Sequence, residues 1–401
     1  MRILVLNSGS SSVKFSLEDL QAGSTVLRGF AENLNTGAPR LVIEESGAES
    51  HRRELPADSG HEHAIEAILE HLQSAGDPPL SPDAIGHRVV HGGEFFREAT
   101  LIDSGVLERI KSCSPLAPLH NPGNLLGIRV CRESFPDLPQ VAVFDTAFHQ
   151  TLPPRAFHYA LPYEFYERHQ VRRYGFHGTS HRYVNRTANE WCGLEPDKSR
   201  WISAHLGNGC SATAISKGRS VDTTMGLTPL EGLVMGSRSG DVDPGLHQYL
   251  SEACELSLDA LTRLLNRESG LLGLSGVSND MRTLRRAADE GNLRARLAIE
   301  VFVYRLAKTI ASLLVPLGGA DGLIFTGGIG ENDTRTREAV CDLLAFAGFQ
   351  IDPQRNDRHG KQSNGFVSPE GNIPRILVVP TNEERMIALE SRDVLQSQND
   401  S

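Results

Sequence analysis

No two of the six cysteines, Cys113, Cys131, Cys192, Cys210, Cys254 and Cys341, lie within four residues of each other. That spacing excludes a CxxC redox pair and a zinc knuckle, and it leaves reduced thiols at core or near-core positions of a cytosolic protein. Long apolar runs are missing too. The longest, 310–317, is broken by Ser312 and Pro316 and is too short to span a bilayer. Residues 3–6, behind a single basic residue, are too few for the apolar core of a signal peptide. Positive charge is scarce: 40 Lys and Arg face 50 Asp and Glu, a formal net charge of -10. Such a chain repels phosphate backbones and anionic lipid, which argues against a nucleic-acid or membrane-surface role. Any site for an anionic substrate must therefore be a local concentration of cations. The patterns GxxxxGK[ST], HExxH and GxSxG are absent as well, which removes P-loop, zincin and serine-hydrolase readings.

What is present is a chain of 401 residues, 39% hydrophobic, too long for one ordinary core, so two domains are expected. Residues 3–6 and 13–17 read as strands joined by a Gly/Ser/Asn turn at 7–12. The plan recurs mid-chain as a strand at 201–206, the turn Gly207-Asn208-Gly209-Cys210-Ser211 and a strand at 212–215. Two copies of strand, Asn, Gly, small hydroxyl residue, strand point to an internal duplication. Further strands are expected at 85–90, 140–144, 322–326 and 375–379, and helices at 61–73, 294–314, 335–347 and 383–395. In the second helix Leu297, Val301 and Tyr304 recur at helical spacing, as do Phe302, Leu306 and Ile310. Strands mixed with helices make the fold class α/β. Residues 35–60 are polar and turn-rich and read as a surface excursion. The Leu-Pro-Pro stretch near 148–154 reads as a domain boundary, and 396–401 as a disordered tail.

Both hairpin turns are candidate phosphate cradles. Glycine lets the backbone approach an anion, successive N–H groups can point inward, and Ser10, Ser12 and Lys14 add donors. Either turn alone reads equally well as an ordinary tight turn. Residues 207–212 match GxGxx[GA], but the chain continues as a strand rather than a helix, so a dinucleotide fold is a poor fit. Gly327-Gly328-Ile329-Gly330-Glu331-Asn332 follows an apolar strand. It either brings backbone flush against a nucleobase or an α-phosphate, or is a plain strand-to-helix turn. Arg88 stands inside an apolar strand, and Arg238 in a loop too glycine-rich to pack a core. A guanidinium fork suits carboxylate and phosphate oxygens; a buried structural ion pair is the competing reading. His177 and His181 have i,i+4 spacing, but no third ligand accompanies them, so Gly-flanked His177 reads as a polar active-site group rather than a zinc ligand. Asp145 ends a strand, where α/β sheets present site residues. In Thr381-Asn382-Glu383-Glu384 a capping box of Thr381 with Glu384 accounts for Glu384 and leaves Glu383 free to act.

The segments LVLNSGSSSVKFSL, GHRVVHGGE, PLAPLHNPGNL, VAVFDTAFHQTLP, RRYGFHGTSHRYV, AHLGNGCSATAI, SVDTTMGLTPLEGLVMGSRSGDVDPG, FTGGIGEN and PTNEERMIAL resemble, in order and from end to end, the acetate kinase family. The resemblance implies two duplicated ribonuclease H-like (actin-like ATPase) domains of the sugar-kinase, heat-shock ATPase and actin superfamily, with an interdomain active-site cleft. It implies a first domain at 1–148 plus 383–395, the C-terminal helix returning to it, and a nucleotide-binding domain at 149–382. The activity implied is Mg²⁺-dependent, reversible, in-line transfer of the ATP γ-phosphoryl group to acetate, giving acetyl phosphate and ADP. The resemblance further implies Mn²⁺ as a substitute ion and a cytoplasmic homodimer serving acetyl-CoA biosynthesis.

Carried over position by position, Arg88, Asp145, His177 and Arg238 are the catalytic residues, and Asn7 and Glu383 the metal site. Arg88, Val90, Leu119, Phe176 and Pro229 match the acetate site. Ser10, Ser12 and Lys14, with His205, Leu206, Gly207, Asn208 and Gly209, match the phosphate loops. Asp280, Met281, Arg282, Gly328, Ile329, Gly330 and Asn332 match the ribose and adenine contacts. Departures are modest: a serine follows Asn7 where Ala or Cys is common, Gly327 replaces Ala, and Gly245 stands where Ala is usual. None removes a charged group. A propionate kinase differs only in pocket volume. A non-catalytic ATP-binding switch is the reading from another class, and Arg88, Arg238 and His177 argue against it.

Overall fold

The computed structural model describes all residues of the chain except 10, 46–49, 75–79, 119 and 400–401. It divides into two compact units, Met1–Phe148 with the C-terminal segment from Asn382, and His149–Thr381.

The first unit holds β1 (Arg2–Ser8), β2 (Val13–Asp19), β3 (Ser24–Glu32), β4 (Arg40–Glu45), β5 (His51–Glu54), β6 (Ala84–Val89), β7 (Thr100–Leu101) and β8 (Gln140–Phe144). They form one sheet in the order β5-β4-β3-β2-β1-β6-β8-β7. Along β1 the side chains alternate between two apolar faces, with Ile3 and Val5 in one core and Leu4 and Leu6 in the other. Burial on both faces marks a central strand. β1 to β3 run antiparallel, whereas β6 pairs parallel with both β1 and β8. Residues 35–60, expected as a surface excursion, lie at the surface but include the ordered strands β4 and β5. Leu41 and Ile43 enter the core while Arg40, Glu44 and all of β5 face solvent, so the edge of the sheet has the composition of a loop.

The helix Glu383–Asn399 lies on the Ile3/Val5 face through Ile387 and Ala388. A Cβ on Gly86 of β6 would stand 2.7 Å from Ser391 Oγ and 2.9 Å from Ile387 Cγ2, so glycine is what lets this helix lie flush on the strand. The helix continues through 396–399, where a disordered tail was expected; Val394 and Leu395 pack against the same core and carry it on another turn. Its N-cap is Asn382, whose Oδ1 accepts from the Arg385 N–H at 2.8 Å. The expected capping box therefore does not form. Thr381 Oγ1 is engaged by Ser180 Oγ at 2.7 Å instead.

The second unit holds β9 (Arg200–Leu206), β10 (Cys210–Ser216), β11 (Arg219–Thr223), β12 (Gly322–Thr326) and β13 (Arg375–Val378), ordered β11-β10-β9-β12-β13. This is the β3-β2-β1-β6-β8 plan repeated: an antiparallel meander, then two parallel strands. The repeat is the duplication that the two hairpins announced. In the helix Leu293–Leu317, Phe302, Leu306 and Ile310 are the buried set, whereas Leu297 and Tyr304 are 50% and 55% exposed. Residues 327–332 form a short helix directly after β12. Four cysteines are buried, Cys192 is half-buried and Cys254 is exposed; all six are free.

Candidate active site

Three neighbouring parallel strands, β1, β6 and β8, present their C-terminal ends side by side in the first unit. Asn7 lies at the end of β1, Arg88 at the end of β6, and Asp145 just past β8. Arg88 grips Asp145 with both arms of its fork, Nε to Oδ1 at 3.0 Å and Nη2 to Oδ2 at 2.5 Å. Its remaining nitrogen, Nη1, donates to Asn7 Oδ1 at 3.2 Å, and Glu383 Oε2 lies 3.8 Å from Nε. Burial pushes the Asp145 and Glu383 carboxyls up from their ordinary values, and Arg88 opposes the shift in both. Burial also works against the charge on Arg88, but Asp145 and Glu383 outweigh it and hold the guanidinium above its usual value.

The first hairpin turn starts at Asn7 of this cluster. Gly9 N–H donates to Ser12 O at 2.7 Å, and the Gly9 carbonyl accepts from His61 Nε2 at 2.7 Å. Exposed Lys14 stands opposite Asn7 in the β1–β2 register. Val90 is buried, and its N–H donates to Asn124 Oδ1 at 3.1 Å. Ser10 and Leu119 lie outside the described residues.

In the second unit, His177 stands at the N-cap position of the helix Gly178–Cys192 in a left-handed conformation, φ 57°. Its Nδ1 bonds Ser211 Oγ at 2.9 Å, and its ring lies over that of His205, centroids 4.4 Å apart. A Cβ on Gly209 would stand 3.4 Å from His177 Nε2 and 3.5 Å from Arg238 Nη1. Imidazole and guanidinium thus converge over bare backbone of the second hairpin turn. Arg238 donates to the Pro229 carbonyl at 3.3 Å, and burial holds it below its usual value. No carboxylate pairs with it among the described residues, so an anion would find its charge unspent. Phe176 is buried, and its carbonyl accepts from His149 Nε2 at 3.0 Å. His205 Nδ1 meets Ser180 Oγ at 2.8 Å.

A pocket of about 700 Å³ opens beside this turn. Of the residues expected at nucleotide, Gly207, Asn208, Asp280, Met281, Arg282, Gly328, Ile329 and Asn332 line it. Leu206 is instead fully buried, and Gly330 backs onto Phe325 and Ala204. Gly327, φ 76°, would place a Cβ 2.8 Å from Leu206 O, so only glycine lets the 327–332 helix start flush against β9. Asp280 caps the helix Met281–Asp289 by accepting from the Arg282 and Thr283 N–H groups, and its hydrogen bond to the Arg282 guanidinium holds its carboxyl at about 2. Asn279, Arg285 and Asp333 complete the lining and were missed. Arg285 pairs with Asp333 at 3.1 Å and lies one helical turn beyond Arg282, a spacing that could have revealed it.

Residues 2–389 match the acetokinase family. The acetate kinase of Deinococcus deserti is 52% identical over 99% of this chain and 99% of its own length. Among solved structures, the Porphyromonas gingivalis acetate kinase is 43% identical with a TM-score of 0.92, covering 98% of this chain and 99% of that one. A propionate kinase from Francisella tularensis is 46% identical with a TM-score of 0.91, covering 97% and 98%. The fold of this chain is theirs, the mixed α/β actin-like ATPase fold.

Proposed function

The chain belongs to the acetokinase family, and from that premise we propose that it transfers the γ-phosphoryl group of ATP reversibly to acetate, giving acetyl phosphate and ADP. The observation that carries the reading is the convergence of His177 and Arg238 on a glycine turn beside a pocket of nucleotide size. A bare ATP sensor has no use for that pair. The acetate carboxylate is already anionic and needs no general base. Its repulsion from the γ-phosphate is the main obstacle, so catalysis is positioning and charge neutralisation. In this reading Arg238 and the Nε2 side of His177 stabilise the transferring phosphoryl oxygens, and Arg88, oriented by its Asp145 fork, holds the carboxylate. Val90, Leu119, Phe176 and Pro229 receive the methyl group.

Acetate kinases need a divalent metal, and we assign Mg²⁺, with Mn²⁺ as a substitute, to Asn7 and Glu383. Their oxygens lie 3.2 and 3.8 Å from the same guanidinium, and no group of three or more His, Cys, Asp or Glu suited to a metal occurs among the described residues. An ion that takes one carboxylate and completes its shell from water and phosphate fits that donor set, and this is the habit of Mg²⁺. When bound, it neutralises charge on the phosphate oxygens. No helix among the described residues is long and apolar enough to cross a membrane. A cytoplasmic homodimer is proposed from the family resemblance, with light scattering as its check.

The test is trapping of acyl phosphate as hydroxamate from ATP with acetate or propionate. Acetate should give the higher kcat/KM, since one extra methylene costs about 1–3 kcal/mol in a pocket sized for a methyl group. A preference for propionate would move the assignment to propionate kinase, and ATP binding without acyl phosphate would refute the kinase reading.

A further inference from the structure

Behind His177 runs a chain of three buried side chains, and its hydrogen count can be solved. Ser203, in β9, is fully buried, and its hydroxyl has one hydrogen-bond partner among the described residues, His181 Nδ1 at 2.9 Å. A buried O–H without an acceptor costs about 1–3 kcal/mol, so Ser203 donates and His181 Nδ1 is bare. His181 is itself fully buried, and burial holds its imidazole neutral, well below the usual value. A neutral ring carries one N–H, which must then be on Nε2, 2.8 Å from Ser211 Oγ. Ser211, accepting there, spends its only hydrogen on His177 Nδ1 at 2.9 Å.

We propose that Ser203, His181 and Ser211 act as a tautomer lock, positioning residues that keep His177 Nδ1 an acceptor and so place its single N–H on Nε2, the nitrogen facing the Arg238 guanidinium across Gly209. The assignment rests on the reading of His177 as a donor to the transferring phosphoryl group. A neutral donor beside Arg238 supplies a hydrogen bond without setting two cations against each other. His149 supports the same ring from another side. Its Nε2 donates to the Phe176 carbonyl at 3.0 Å, and its Nδ1 meets Ser220 Oγ at 2.9 Å, which pins the backbone just ahead of the left-handed His177.

The experiment uses the full-length enzyme labelled with ¹⁵N-histidine, whose long-range proton–nitrogen spectra report which ring nitrogen carries the hydrogen. At pH 7 both His177 and His181 should be Nε2–H; an Nδ1–H form of either, or an imidazolium at His177, overturns the lock. Ser203→Ala should lower kcat by about 10-fold with KM for acetate and ATP within about 2-fold, because the loss falls on the transition state. The same variant should bring an Nδ1–H form of His181 into the spectra. Ser203→Thr, which keeps the hydroxyl, should restore both. A Ser203→Ala enzyme with wild-type kcat and unchanged spectra refutes the proposal. If that variant does not fold, the wild-type spectra decide alone. Expected spectra from an enzyme that makes no acyl phosphate would refute the functional reading and still support the lock.

Discussion

Acid should destabilise this protein through imidazoles that take no part in phosphoryl transfer. His87 lies in β6 with its Nε2 donating to Gln140 Oε1 at 2.9 Å, and burial pushes its pKa from 6.5 to about 4. His149, sealed behind Phe176, is pushed by burial to about 4 as well. In both cases the folded protein holds a neutral ring while the unfolded chain takes up a proton near its ordinary value. Their stabilisation is therefore complete above about pH 6.5 and is lost as pH falls toward 4. Between pH 7 and pH 5 each ring should withdraw roughly 2 kcal/mol, a large part of the roughly 5–15 kcal/mol that holds a typical domain folded. The raised carboxyls of Asp145 and Glu383 act in the opposite direction, favouring the fold as they protonate. The decisive comparison is thus between proteins rather than between pH values. Urea denaturation at pH 7 and pH 5 should show a fall in stability that His87→Gln reduces by about 2 kcal/mol, since glutamine keeps a donor for Gln140 but cannot titrate. If His87→Gln loses as much stability on acidification as the wild type, the His87 argument is wrong.

Other outcomes follow from the same geometry. Arg238→Ala should lower kcat by about 10²-fold, as loss of a strong charge-stabilising donor does; unchanged kcat with a raised KM for acetate would make it a ground-state contact instead. Glu383→Ala should raise the Mg²⁺ concentration needed for half-maximal activity, whereas Glu384→Ala should not; equal shifts would end the distinction between them. Asn382→Ala should cost about 1 kcal/mol in denaturation midpoint analysis, and Asn382→Asp almost nothing, because Asn382 rather than Thr381 caps the last helix.

The hairpins were legible because alternation and a Gly/Ser/Asn turn are local signals, and their recurrence needed no knowledge of packing. The outer strands β4 and β5 were not, since an edge with one wetted face has the composition of a loop. Capping failed for a related reason. Thr381 and Asn382 are adjacent, each able to cap, and only the engagement of Thr381 by Ser180 decides between them. Arg88 betrayed itself as a cation in an apolar strand, but its partners could not be read from spacing. Asn7 is 81 residues away and Asp145 is 57, and strand order is what brings them together. Ser211 was legible only as the small hydroxyl residue of the second turn and Ser203 not at all, because a serine in a buried strand is unremarkable until its single hydrogen has to be placed.

The repeated five-strand plan sets different residues at equivalent strand ends. In the first unit the strands beside the hairpin end in charge, with Arg88 on β6 and Asp145 after β8. In the second, the strand that corresponds to β6 is β12, and it runs without a charged residue into Gly327 and the short helix lining the pocket. Equivalent strand ends thus offer a fixed cation in one copy and close-set backbone in the other. Under the proposed function, the first suits a carboxylate and the second a nucleotide. The strand pattern alone predicts the scaffold twice over, and what differs between the copies is the residue at each strand end.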